Sequence, residues 1–143
     1  MGGMTRNYQV GDEVTSLVKQ VTQEAINLFE SSSGETGPSQ FTDEETAREI
    51  LGTSGTVASG RMSLTFALEM LRRAFGADVF NHTGSVDLRF LRPVRPGDTI
   101  TGRVEVLEGR SDKPITTLRT SVTRDDRTVV LEGDADCYTM PLA

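Results

Sequence analysis

Chemistry at neutral pH needs groups that trade protons or hold charge, and this chain is sparing with them. It carries one histidine, His82, and one cysteine, Cys137, in 143 residues. A single thiol cannot close an internal disulfide, and one thiol with one imidazole cannot build a metal cluster. Cys137 therefore reads as a small core residue rather than a nucleophile. No Gly-rich phosphate loop follows a strand, so neither a metal nor a nucleotide cofactor is expected. His82 is left as a candidate acid/base, the only side chain whose ordinary titration falls near neutrality. A second candidate needs no ionisable side chain. Ser59-Gly60 stands at the start of a long helical segment, where unpaired N–H groups and the helix dipole can hold an oxygen on which negative charge develops. Ser59 is also a good N-cap type in its own right.

The elements that must position these residues follow from periodicity. Residues 13–21 are β-branched and roughly alternating, which predicts a strand. Thr22 is an expected N-cap, with Val21 and Ile26 at hydrophobic-staple spacing, and Ala25, Ile26, Leu28 and Phe29 make a short amphipathic helix. Residues 31–41 carry the Ser, Gly and Pro signals of a loop. Thr42 and Glu45 fit a capping box for another short helix, which Gly52 ends. From Arg61 to Phe75 a helix of about four turns is predicted, apolar around most of its circumference and so expected to be buried on nearly all sides. Arg72 and Arg73 suit its last turn, and Gly76 stops it.

The second half alternates differently. Val86/Leu88/Phe90, Ile100/Val104/Val106, Leu118/Val122 and Val129/Leu131 mark four strands, with turn signals at 93–98, 108–114 and 124–127, the regular spacing of an antiparallel meander. Gly97 and Asp98 read as turn residues. A mostly apolar helix followed by such strands predicts an α+β domain in which an antiparallel sheet wraps a long buried central helix, the hotdog architecture. The length suits one domain spanning 1–143, with residues 1–6 expected to be disordered or vector-derived. Fifteen basic against twenty-one acidic residues leave a net charge of −6. That balance disfavours nucleic acid and anionic membrane as partners. No apolar run approaches the roughly twenty residues of a membrane span, and a cytoplasmic location is expected.

Three stretches resemble the MaoC-like dehydratases and (R)-specific enoyl-CoA hydratases, in order and with matching spacing. They are Tyr8-Gln9-Val10-Gly11-Asp12-Glu13-Val14 near the start, the segment from Ser33-Gly34-Glu35 to Gly60, and Phe90 to Thr99, which is similar to that family's Arg-Phe…Pro-Val…Gly-Asp-Thr pattern. The resemblance implies an acyl thioester of CoA or acyl carrier protein as ligand, and a dimer whose strand after the central helix lies near the subunit boundary and the acyl pocket. It also implies a catalytic Asp five residues before a catalytic His. Aligned from Ser33-Gly34, the Asp position is Glu35 and the His position is Gln40. Aligned backwards from Thr42-Asp43 and Ala47-Arg48, the His position is Phe41. The family's Ala-His-Gly becomes Ala58-Ser59-Gly60.

Both imidazoles are thus replaced while the scaffold is kept. Glu35 remains as a candidate base, Gln40 and Ser59 as polar groups that could hold water or substrate, and Gly60 as an oxyanion donor. His82 stands as a relocated acid/base. Arg89, Arg92 and Arg95 could hold the phosphates of a CoA or carrier arm. The expected activity is that of a hydratase/dehydratase-like enzyme with an altered site. The rivals are a non-catalytic subunit pairing with a catalytic MaoC-like chain, and a hotdog thioesterase. A homodimer, or a heterodimer with another MaoC-like chain, is expected.

Overall fold

The computed structural model describes residues 9–109 and 115–138; the expectation for residues 1–6 lies outside them. In chain order the elements are β1 (Glu13–Gln20), α1 (Gln23–Ser32), α2 (Glu44–Leu51), α3 (Gly60–Phe75), α4 (Ala77–Thr83), β2 (Ser85–Phe90), β3 (Thr99–Gly109), β4 (Ile115–Arg124) and β5 (Val129–Tyr138). The five strands form one antiparallel sheet in the order β1-β3-β4-β5-β2. Helix α3 lies against it. Phe66, Ala67, Met70, Leu71, Ala74 and Phe75 of α3 pack on Ile100, Val104, Leu118, Val122, Leu131 and Ala135 of the strands, all buried. Gly102 of β3 lies directly against the Met70 and Phe66 side chains of α3. A Cβ there would run into the Met70 side chain, so glycine lets α3 settle directly on the strand backbone.

The α+β hotdog expected from the pattern is the fold found, with four local differences. The last four strands are not a simple meander. β3, β4 and β5 are one, but β2 crosses to the far edge and pairs with β5, because β1 already occupies the free side of β3. The segment carrying His82 is helix α4 rather than the start of a strand. Gly76, at φ 94, breaks α3, and a new helix begins at once so that Phe80 can bury and stack on Phe75, with centroids 6.1 Å apart. Helix α2 is capped by Asp43, not Thr42: the Asp43 carboxylate accepts from the Thr46 amide at 2.9 Å and the Thr46 hydroxyl at 2.6 Å, while Thr42 is taken up by the Ser39 turn. Those bonds, the hydroxyl first, hold the Asp43 carboxyl below its ordinary titration range. Finally, α3 is not buried all round, since Arg61, Thr65 and Arg73 leave an exposed polar stripe along it.

Other local expectations are met. Thr22 caps α1 by accepting from the Ala25 amide at 3.0 Å, flanked by the buried Val21 and Ile26. The turn at Gly97-Asp98 closes with Asp98 accepting from the Arg95 amide at 2.8 Å, and Gly97 takes φ 97. That turn is pinned to the start of α1 through Val21, whose backbone exchanges hydrogen bonds with Gly97 and Asp98.

Candidate active site at the head of the central helix

The site is built where the end of α1 meets the beginning of α3. Helix α1 runs on through Ser31 and Ser32, two residues into the segment read as loop, and ends in a Schellman motif. Gly34 adopts φ 88; its amide donates to the Ser31 carbonyl at 3.2 Å, and the Glu35 amide donates to the Glu30 carbonyl at 3.0 Å. This turn sends the Glu35 side chain out to solvent and leaves that of Glu30 pointing inward, 1% exposed.

Glu30 then organises the head of α3. The Ser59 hydroxyl donates to one of its carboxylate oxygens at 3.0 Å, and the Arg61 guanidinium donates to the other, also at 3.0 Å. The same guanidinium lies 3.6 Å from the Glu35 carboxylate and 5.9 Å from the centre of the Phe29 ring. A buried, unpaired carboxylate would cost several kcal/mol. Here two donors, one of them charged, offset that cost, so Glu30 is tolerable only because Ser59 and Arg61 are where they are.

The arrangement changes what Ser59 does. Its backbone has N-cap geometry, φ −69 and ψ 153, yet its side chain makes no capping bond, because the hydroxyl is committed to Glu30. The opening amides of α3 are thereby left without a side-chain cap. Gly60, the first residue of the helix, is exposed, and the Phe90 ring lies 3.2 Å from where a Cβ would stand. A cleft of about 310 Å³ opens there, walled by Gly60, Ser63, Phe90, Arg92 and Val94 among others. Ala58 and Val94 form an isolated β-bridge that fixes the chain entering the helix, with the Ala58 amide 2.7 Å from the Val94 carbonyl.

Gln40 reaches this region through its backbone. Its carbonyl accepts from the Val57 amide at 3.3 Å, two residues before Ser59, and its side chain is half-buried. Phe41 is half-buried against the core, and its carbonyl accepts from Gln23 at 2.9 Å. Glu35, Gln40, Ser59 and Gly60 are therefore gathered around the head of α3. His82 is not. It is exposed in the last turn of α4, beyond the far end of a 16-residue helix, which is about 24 Å long at 1.5 Å per residue. The return path is consistent, because β2 must run its whole length from Ser85 before Phe90 reaches Gly60. Within one chain, His82 and Gly60 belong to opposite ends.

The three arginines also separate. Arg92 lines the Gly60 cleft, with its guanidinium 2.7 Å from the Leu91 carbonyl, Arg89 is exposed on β2, and Arg95 faces a different, polar cleft beside Gln23, Thr42 and Gly55. Cys137 is buried near α4, and burial raises its thiol's titration, partly offset by Thr83 at 3.2 Å; it stays a thiol. Among the described residues, no group of three His, Cys, Asp or Glu is placed to hold a metal ion, and no helix is long and apolar enough to cross a membrane.

Glu30 and Arg61 escaped the reading of the sequence. A signal was present: Glu30 stands four residues after the fully buried Ile26, on the apolar face of α1, and in a last turn where the helix dipole disfavours an anion.

Residues 6–128 match the family model for the MaoC like domain. An (R)-specific enoyl-CoA hydratase from Rhodospirillum rubrum is 32% identical over 123 residues, covering 84% of this chain and 81% of that protein. The chain belongs to the MaoC-like family. Solved MaoC-like folds agree with the architecture above. The (R)-hydratase from A. caviae involved in PHA biosynthesis superposes with a TM-score of 0.78 at 22% identity, covering 95% of this chain and 100% of that one. The ChsH1-ChsH2 complex from Mycobacterium tuberculosis does so with a TM-score of 0.69 at 15% identity, covering 92% and 98%. This MaoC-like chain carries Ser33-Gly34-Glu35 on the C-cap of α1 and Ala58-Ser59-Gly60 on the entry to α3.

Proposed function

We propose that this MaoC-like chain is an acyl-thioester hydratase/dehydratase whose proton chemistry runs on a carboxylate instead of an Asp/His pair. The observation that supports it is the diverted N-cap: with Ser59 turned to Glu30 no side chain caps α3, and since the Ser59 carbonyl takes up the Met62 amide at 3.0 Å, the first amide, at Gly60, is the one left to hold a thioester oxygen in the Gly60 cleft. Such donors act on the charge that develops in the enolate, not on the resting carbonyl. Glu35 is the proton acceptor. It takes a proton from water as the water oxygen bonds to the β-carbon of an enoyl thioester, and the enolate oxygen rests on the Gly60 amide. The protonated carboxyl then returns its proton to the α-carbon. Arg61 keeps Glu35 at the head of the helix, Ser59 holds Glu30 beside it, and Gln40 steadies the approach to the helix through its carbonyl on the Val57 amide. Arg92 at the rim is the nearest of the three arginines for a CoA or carrier phosphate.

A missing imidazole has a kinetic consequence, because one positioned acid/base contributes about 10²–10⁴-fold. Crotonyl-CoA hydration is expected to run that far below a typical turnover of about 10 per second. Glu35→Gln, which keeps size and hydrogen bonding, lowers kcat at least about tenfold further while thioester affinity stays within twofold. Equal turnover by the two proteins would remove Glu35 from the mechanism.

A second reading, a non-catalytic subunit beside a catalytic MaoC-like chain, is favoured by the β2 edge. That strand pairs only with β5 and is largely exposed, with Leu88 alone half-buried against the core; Val86, Phe90 and the following Leu91 are exposed, and Phe90 and Leu91 also line the Gly60 cleft. An unpaired edge of this kind invites a second chain, which would also wall the cleft. Sedimentation is expected to show a species of twice the 15.6 kDa chain mass, and Phe90→Lys to shift it toward monomer. A purified chain that stays monomeric at micromolar concentration but pairs with a co-expressed second MaoC-like chain would decide for the subunit reading.

A further inference from the structure

Glu30 is the one buried carboxylate among the described residues, and the hydration steps above make no use of it. Resting on that thioester reading, we propose that Glu30 is the positioning residue of the site. It touches no reacting atom, but it holds both the Gly60 donor and the Glu35 acceptor in place.

Its hydrogen bonds are the first support. The two carboxylate oxygens take the side chains on either side of Gly60, Ser59 through its hydroxyl and Arg61 through its guanidinium, each at 3.0 Å. Neither flanking side chain lines the Gly60 cleft, which stays open to a ligand. The Glu30 backbone carbonyl accepts the amides of Ser33 at 3.2 Å and Glu35 at 3.0 Å. The guanidinium on its carboxylate also reaches the Glu35 carboxylate, at 3.6 Å. One residue thus ties the entry of α3 to the turn that carries the proton acceptor.

Stability does not account for a carboxylate here. Position 30 continues the buried side of α1, four residues after Ile26, in a last turn where the dipole disfavours an anion. Buried ion pairs are often matched or bettered by apolar residues of similar volume, so a methionine would hold α1 to α3 as well. What no apolar residue supplies is direction, two acceptors that fix the rotamers of Ser59 and Arg61 at once. Such fixing matters where reacting groups must be held to within about 0.5 Å.

The test sets two readouts against stability. Bound 2,4-hexadienoyl-CoA reports the donor arm, because its conjugated thioester absorbs at longer wavelength when a donor polarises the carbonyl. The kcat for crotonyl-CoA reports the acceptor arm. In Glu30→Met, Ser59 is free to turn back and cap α3, and Arg61 closes on Glu35 alone. This variant is expected to bind the probe within about twofold of wild type, yet to lose about half of the red shift or more and at least about tenfold in kcat, since a misplacement of about 1 Å can cost about 10²-fold. Glu30→Gln, which can still bond Ser59 and Arg61 without the charge, should recover part of both. In urea unfolding the order should differ, with Glu30→Met no less stable than Glu30→Gln. Glu30→Leu/Arg61→Met repeats the test should Glu30→Met not fold, and the red shift decides even where turnover is too slow to measure. A folded variant that polarises the probe as wild type does would overturn the positioning role and leave the thioester reading standing. Lost affinity with the full red shift in the bound fraction would overturn it too, since Glu30 would then hold only the pocket. A wild type that fails to bind or to red-shift the probe would sink the thioester reading itself, and the role of Glu30 with it.

Discussion

The two ends of α3 obey opposite rules. At its C-terminal end everything is orthodox. Arg72 and Arg73 sit in the last turn, where they complement the dipole; Gly76 stops the helix, and Phe75 and Phe80 stack to seal the junction with α4. At its N-terminal end the rules are broken together. A carboxylate is buried, it comes from the wrong end of its own helix, the N-cap serine does not cap, and a glycine opens the helix at the surface. Sequences that agree with their fold at every level fold well, and local violations concentrate where function demands them. The difference between the ends is what favours the N-terminal end for the proposed chemistry.

The comparison breaks most directly through charge removal. Arg61→Met strips Glu30 of its cationic partner and leaves a carboxylate buried with only the Ser59 hydroxyl. Removing the partner of a buried carboxylate costs up to about 3 kcal/mol, and less where, as here, the cation is half exposed and water can take its place. Arg73→Met, at the other end, removes an exposed i,i+4 pair with Glu69 and should cost no more than about 0.5 kcal/mol. Urea unfolding of both variants measures the contrast. The double variant Glu30→Leu/Arg61→Met should regain most of the loss, since buried ion pairs are often replaceable by apolar residues of similar volume. Equal costs at the two ends would mean that Glu30 is better solvated than its position implies.

The same contrast is sharpened by activity. Glu35→Gln is expected to cost at least about tenfold in kcat for crotonyl-CoA, whereas His82→Gln, on exposed α4, should leave it within twofold. A loss with His82→Gln in a dimeric protein would place the histidine of one chain at the Gly60 cleft of the other. That result would restore an imidazole to the site.

How far the sequence carried is itself uneven along the chain. Period and punctuation were enough for α3, for the Thr22 cap and for the strands of the second half, because each depends on neighbours within a few residues. The crossing of β2 to the far edge was not legible, since which strand lies beside β3 is decided by β1, some eighty residues earlier. Helix α4 was lost because its core contact, Phe80 on Phe75, spans the Gly76 break that ended the pattern. At the site, Glu35 and Gln40 came from the resemblance and Ser59-Gly60 from the start of the long helix as well, and the fold gathers them. Glu30 and Arg61 carry no motif. Only their meeting between two helices thirty-one residues apart gives them meaning.

The smallest expected effect lies between the two ends, at the Lys19–Glu69 pair halfway along the polar stripe. The hydrogen bond from Lys19 is the main reason that Glu69 titrates below its ordinary range, with Arg73 helping and partial burial opposing. A carboxylate depressed in the folded state adds stability only where it is ionised in both states, above its unfolded value of about 4.3. As pH falls below that value the unfolded chain takes up the proton first, and the contribution shrinks until the folded carboxyl is protonated too. The Tm difference between wild type and Glu69→Gln should thus be constant from pH 7 to about 5 and close progressively below about 4.3. Because both side chains are substantially exposed, the difference should be small and should fall further in high salt. A gap that widens toward acid pH would mean that burial, not Lys19, governs Glu69.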